Sequence, residues 1–94
     1  MPRVVLARDA DDDLDKIFDY LAQFDAKNAA ARVKEIRREL EVLAHSPMIG
    51  RSVSGSIRQL LIGKRAHGYV ATYRYVPGGG LVMVMSIRSQ RQIP

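Results

Sequence analysis

The sequence holds no cysteine among its 94 residues. Disulfides, thiolate metal sites and cysteine nucleophiles are excluded together, and a reducing compartment is the natural setting. Long apolar runs are missing as well. Val4–Ala7 is confined between Arg3 and Arg8, too short for the core of a secretion signal, and nothing approaches the ~18 apolar residues of a membrane span. The chain is therefore expected to be soluble, unexported and cytoplasmic, with no membrane partner. Histidine is scarce, with only His45 and His67. The fourth absence is the most informative: no Asp or Glu occurs from Val42 to Pro94.

The charge that is present sorts along the chain. Residues 1–25 carry seven Asp against three Lys or Arg, a balance of −4. Residues 26–94 carry three Glu against twelve Lys or Arg, a balance of +9, so the formal net charge of +5 understates the polarity. An acid-free stretch bearing Arg51, Arg58, Lys64, Arg65, Arg74, Arg88 and Arg91 cannot neutralise itself. It presents a positive face, which attracts phosphate backbones or an acidic protein segment. An idle surface usually interleaves both signs.

Hydrophobic residues at 47% and charged residues at 27% place the chain in the ordinary globular range. Its length suits one domain over residues 1–94, since neither half could bury a core alone. Arg3–Ala7 reads as a first strand. Asp9 offers a helix N-cap, with Asp11, Asp12 and Asp13 suited to the positive end of the helix dipole. Ala10, Leu14, Ile17, Phe18 and Leu21 then form an apolar stripe over a helix from about Ala10 to Gln23. Asp25 can cap a second helix, whose seam is Ala29, Val33, Ile36, Leu40 and Leu43 and which Ser46-Pro47 ends. The short connection predicts an αα-hairpin. Pro47–Ser56 reads as a loop. Strands follow at Ile57–Ile62, Tyr69–Val76 and Leu81–Arg88, the last two joined by Pro77-Gly78-Gly79-Gly80. The unbroken run Leu81–Met85 suggests a strand covered on both faces. The expected fold is α+β in the order βααβββ, a small, mostly antiparallel sheet with an N-terminal αα-hairpin on one face.

Three possible sites fail on their own chemistry. Asp9, Asp11 and Asp13 imitate a calcium loop, but its sixth position would be Leu14 rather than Gly and its twelfth Tyr20 rather than Glu; no metal is expected. A Ser–His–Asp triad lacks acids beyond Glu41 and any nucleophile-elbow sequence. Gly78–Gly80 lacks the following helix and Lys of a phosphate loop. No cofactor is implied. What remains is a basic and aromatic set on the strands: Arg58, Lys64, Arg65, His67, Tyr69, Tyr73, Tyr75, Arg88 and Arg91. Arg beside Tyr suits RNA, where guanidinium holds phosphate and the ring stacks on a base. Such a set could also cut RNA without metal, one group deprotonating the 2′-hydroxyl and Arg stabilising the phosphorane. Equally, alternate Tyr could face the core while the Arg residues are solvated strand ends.

The order of motifs resembles RelE/ParE-superfamily toxins of type II toxin–antitoxin systems. The carriers are Asp13-Leu14, Ile17 and Tyr20 on the first helix, then Leu43, Pro47, Gly50 and Arg51 at the end of the second. The segment from Ile57 to Gln92 is similar to the family's Tyr-containing and final apolar strands with a basic end. The resemblance spans nearly the whole chain, though weakly residue by residue. It implies one of two activities, both linked to growth arrest and, for such modules, plasmid stabilisation. RelE-type members are ribosome-dependent mRNA interferases, whereas ParE-type members inhibit DNA gyrase. Here Val70 stands where the RelE pattern has Arg after Gly68-Tyr69, Lys64-Arg65 only echoes its Lys pair, and no Tyr follows Arg91. The Pro47–Arg51 loop and long hairpin are closer to ParE, although Arg88 stands where many ParE-like chains have His. The resemblance thus implies a non-enzymatic gyrase inhibitor neutralised by a cognate antitoxin; the alternative is a metal-independent endoribonuclease. On either reading the target- and antitoxin-binding residues, or the catalytic ones, are Arg58, Lys64, Arg65, Tyr73, Arg88 and Arg91. Direct nucleic-acid binding is secondary, and assembly as a homodimer or as a heterotetramer with the antitoxin is open.

Overall fold

β-Branched and aliphatic residues at Val4, Val5 and Leu6 make an extended start, and in the computed structural model, which describes residues 1–63 and 68–90, they form β1 (Arg3–Leu6). The first helix, α1 (Arg8–Ala22), begins earlier than expected. Its N-cap is Ala7, with no side-chain cap, and Asp9 and Asp11 lie inside the first turn. Asp9 is thus a dipole charge rather than a cap. Asp25 does cap α2 (Ala26–Leu40): its carboxylate accepts the backbone N–H of Lys27 at 3.1 Å and of Asn28 at 3.3 Å. The second helical stretch breaks at Glu41, and a single turn, α3 (Val42–His45), carries Leu43 into the core before Pro47.

The chain then departs from the expected order by one strand. Arg51–Ser54 is β2, an edge strand whose four residues are all exposed. Arg51-Ser52-Val53-Ser54 has a single apolar residue and no buried face, so its sequence carries no alternation to read. The other strands lie where they were expected, β3 (Ile57–Ile62) and β4 (Tyr69–Val76) with the same bounds and β5 (Leu81–Ser89) one residue longer. Pro77–Gly79 forms a 3-10 turn, and Gly80 closes it at φ 58, a left-handed conformation that favours glycine. The sheet order is β1-β5-β4-β3-β2, with β1 parallel to β5 and all other pairs antiparallel.

Leu14, Ile36, Leu40, Leu43, Ile62, Val82, Val84 and Ile87 fill the layer between hairpin and sheet, and Tyr73 lies fully buried among them. A register shift between Thr72 and Tyr73 lets Val84 and Ile87 share that face. β5 is internal to the sheet, but Met83 and Met85 alternate with the buried Val82 and Val84 and stay half-buried. Leu81–Met85 is therefore not covered equally on both faces. Its apolar run reflects an inner position in the sheet with helices on one side.

One contact ties hairpin to sheet by a charge. β1 pairs with β5 only as far as Val84, and further along the strand the Ile87 N–H donates to the Asp13 carboxylate at 2.9 Å. Asp13 acts across the fold, not only on its own helix.

Candidate functional site

The Pro47–Arg51 turn is built on a buried phenol. Tyr73 is 0% exposed; its hydroxyl donates to the Pro47 carbonyl at 2.8 Å and accepts the Gly50 N–H at 2.9 Å. Gly50 has to be glycine here, since a Cβ would lie 2.6 Å from the Tyr73 hydroxyl and 2.8 Å from the Gln59 carbonyl oxygen. Arg58, opposite Tyr73 in the β3–β4 register, donates from Nη1 to the carbonyls of Gly50 at 2.8 Å and Met48 at 3.2 Å. The loop backbone is held at Pro47, Met48 and Gly50, while the Met48 and Ile49 side chains are each 56% exposed.

These contacts revise two expected site residues. Tyr73 cannot stack on a base or touch a partner, because the hydrophobic core encloses it and both hydrogen-bonding capacities of its hydroxyl are used. Arg58 is partly buried and already holds the loop, yet three of its five N–H groups have no partner among the described residues. Arg88 is exposed near the end of β5. Lys64, Arg65, His67 and Arg91 lie outside the described residues, as does any role given to them.

Arg88 sits at the mouth of a half-open groove of about 1370 Å³ between the hairpin and the end of the sheet where β3 finishes and β4 begins. The groove arises from a taper. Ala10 and Leu14 at the start of α1 are buried, whereas Ile17 and Leu21 are only half-buried. Beyond them Tyr20 and Phe24 meet edge to face at 5.5 Å between centroids, 56% and 73% exposed. On the opposite wall Arg32 stands over the Tyr69 ring at 5.6 Å and pairs with Glu35 at 3.0 Å. Glu39 accepts the Gly63 N–H at 3.3 Å, fixing the end of β3 beneath α2. Sequence reasoning missed this groove. Its available signal was the aromatic pair at i and i+4 beyond a stripe already wide enough for the core.

Electrostatically the second half remains uncompensated. The ion pairs among the described residues are Arg32–Glu35 and Arg37–Asp11, both within the helices. Arg51, Arg58, Arg74 and Arg88, all on the sheet, have none. No group of three or more His, Cys, Asp or Glu among the described residues could hold a metal ion. No helix among them is long and apolar enough to cross a membrane.

Comparison with known proteins agrees with this architecture. Residues 4–94 match the family model of the ParE toxin of the type II toxin–antitoxin system parDE. Among curated proteins, none matches significantly. A chain from the chromosomal ParDE system of P. aeruginosa superposes with a TM-score of 0.78 at 24% identity, over 95% of this chain and 96% of that one. A chain of the intact E. coli RelBE toxin–antitoxin complex superposes with a TM-score of 0.70 at 14% identity, over 98% of this chain and 100% of that one. At these identities the two structures speak for the shared fold.

Proposed function

Since the chain belongs to the ParE toxin family of type II toxin–antitoxin systems, we propose that it arrests growth by binding and inhibiting DNA gyrase, and that a cognate antitoxin neutralises it. The observation that carries binding over RNA cleavage is the burial of Tyr73. A metal-free nuclease needs an accessible group to take the 2′-hydroxyl proton and a ring to hold the base. Here Tyr73, the one Tyr among the six expected contact residues, is committed to the loop, and Val70 supplies no charge beside Arg88, its partner in the β4–β5 register. Uncompensated Arg side chains on a rigid sheet serve instead to grip an acidic protein surface.

The antitoxin's place in this reading is the tapered groove. Its apolar floor at Ile17 and Leu21 and its aromatic rim at Tyr20 and Phe24 fit one face of an amphipathic helix. An extended continuation would cover Arg88, removing from the target a charge that attracts it. A segment that folds as it binds buries a large area, so the pair is tight despite the ordering entropy. The RelB-like or ParD-like character of the segment, the stoichiometry and the cytoplasmic setting belong to this proposal.

Induced expression without antitoxin distinguishes the two activities of the superfamily. The expected outcome is filamentous cells with gyrase-dependent DNA breaks and intact transcripts. Transcripts cut within codons, in cells with undamaged DNA, would reassign the chain to the RNA-cleaving group.

A further inference from the structure

A second, smaller cleft lies at the other end of the sheet from the groove. It encloses about 220 Å³ among Met48, the Gly55-Ser56 turn, Arg58, Tyr75 and Pro77, and shares no residue with the groove. Its chemistry is specific. Arg58 brings a partly buried guanidinium whose two carbonyl bonds fix its orientation. No carboxylate pairs with it among the described residues, and the sequence offers none from Val42 onward. Tyr75 and Pro77 give flat apolar walls, and Met48 and Ile49 stand exposed on a backbone that Tyr73 and Arg58 hold in place.

Two bonds from Arg58 hold the loop, but leaving its other N–H groups without a carboxylate and two large apolar side chains in water adds no stability to the free protein. The same arrangement lowers the entropy of binding, because neither the loop nor the Arg has to be ordered when a partner arrives. Arg flanked by aromatic and apolar groups, in a small cleft that a partner would close off from water, is also the composition of an interface hot spot.

We propose that this cleft is an anchor point for the toxin's protein target, and that it receives an acidic side chain next to an apolar one. The proposal rests on reading the chain as a toxin, but not on which protein it poisons. The target then holds the toxin at two places, Arg88 by the groove and Arg58 in the cleft. An antitoxin seated in the groove competes for the first and leaves the second uncovered.

Ser56 lines the cleft from an exposed turn, so its charge can be changed without touching the core. The experiment is growth arrest on induced expression of the full chain without antitoxin, for wild type, Ser56→Glu and Ser56→Lys, with a thermal melt of each purified protein. Ser56→Glu places a competing carboxylate beside Arg58 and is expected to raise the expression level needed for arrest at least about tenfold, as loss of a desolvated charge pair does. Ser56→Lys adds to the positive field and is expected to lower the expression level needed for arrest. Both variants melt with the wild type. Arrest by Ser56→Glu at the wild-type level overturns the proposal and leaves the cleft to the antitoxin or to neither partner. Equal loss in both variants also overturns it, because shape rather than charge would then matter. Wild-type arrest with unimpaired gyrase, together with the split between Glu and Lys, would remove gyrase as target while keeping the cleft.

Discussion

Tyr73 shows how one side chain decides between structure and chemistry. In sequence it sits among Tyr69, Arg74 and Tyr75, the alternation of a strand that could show its rings to either face. In the fold it faces the hairpin, and its hydroxyl bonds Pro47 and Gly50. Tyr73→Phe keeps the ring and removes both bonds. Leaving the Gly50 N–H unsatisfied beside the buried ring costs about 1–3 kcal/mol. Since 1 kcal/mol moves the melting temperature of a domain this size by roughly 4–8 °C, a thermal melt reads the effect directly. A Phe variant melting with the wild type would show that the loop is held by other means. The motif residues Pro47, Gly50 and Arg51 carry the resemblance in sequence, and the structure supplies the reason for one of them: only glycine fits against the phenol at position 50.

Elements with a strong period are legible in the sequence. The seam Ala29, Val33, Ile36, Leu40 and Leu43 faces the core as the spacing requires, and β3 and β4 begin and end where the alternation does. Caps separate in a testable way. Asp25 accepts two backbone N–H groups at the start of α2, whereas Asp9 caps nothing. Asp25→Ala is expected to cost about 1 kcal/mol and Asp9→Ala distinctly less in urea unfolding, and equal losses would contradict the assignment. What stayed illegible has physical causes. β2 has no buried face, so no pattern marks it. Asp13 looked like one more dipole charge in an acidic helix start, and only tertiary placement shows that it receives the Ile87 N–H. The groove is a divergence of elements along α1, a property of packing that a list of apolar positions does not contain. Of the candidate contact residues, charge counting correctly located the uncompensated Arg side chains on the sheet. It could not tell Arg58, which holds a loop, from Arg88, which holds nothing among the described residues.

At the scale of the molecule the chain divides its labour. The hairpin carries every acidic residue and the described ion pairs, and the chain from Val42 onward carries Lys and Arg with no acidic residue. With one face of the sheet under the helices, the apolar groove and the Arg58 cleft open at opposite ends of the strands. On the proposed reading, that separation lets antitoxin and target overlap at Arg88 without sharing every contact. Binding driven by such a surface weakens as salt screens it, since the Debye length falls from about 10 Å at 0.1 M to about 3 Å at 1 M. The most direct measurement is supercoiling of relaxed plasmid by purified DNA gyrase in the presence of the purified chain. Inhibition that rises with toxin concentration, weakens with added salt and disappears when cognate antitoxin is supplied is the predicted result. Full supercoiling at every toxin concentration, by a protein that still arrests growth, would contradict it.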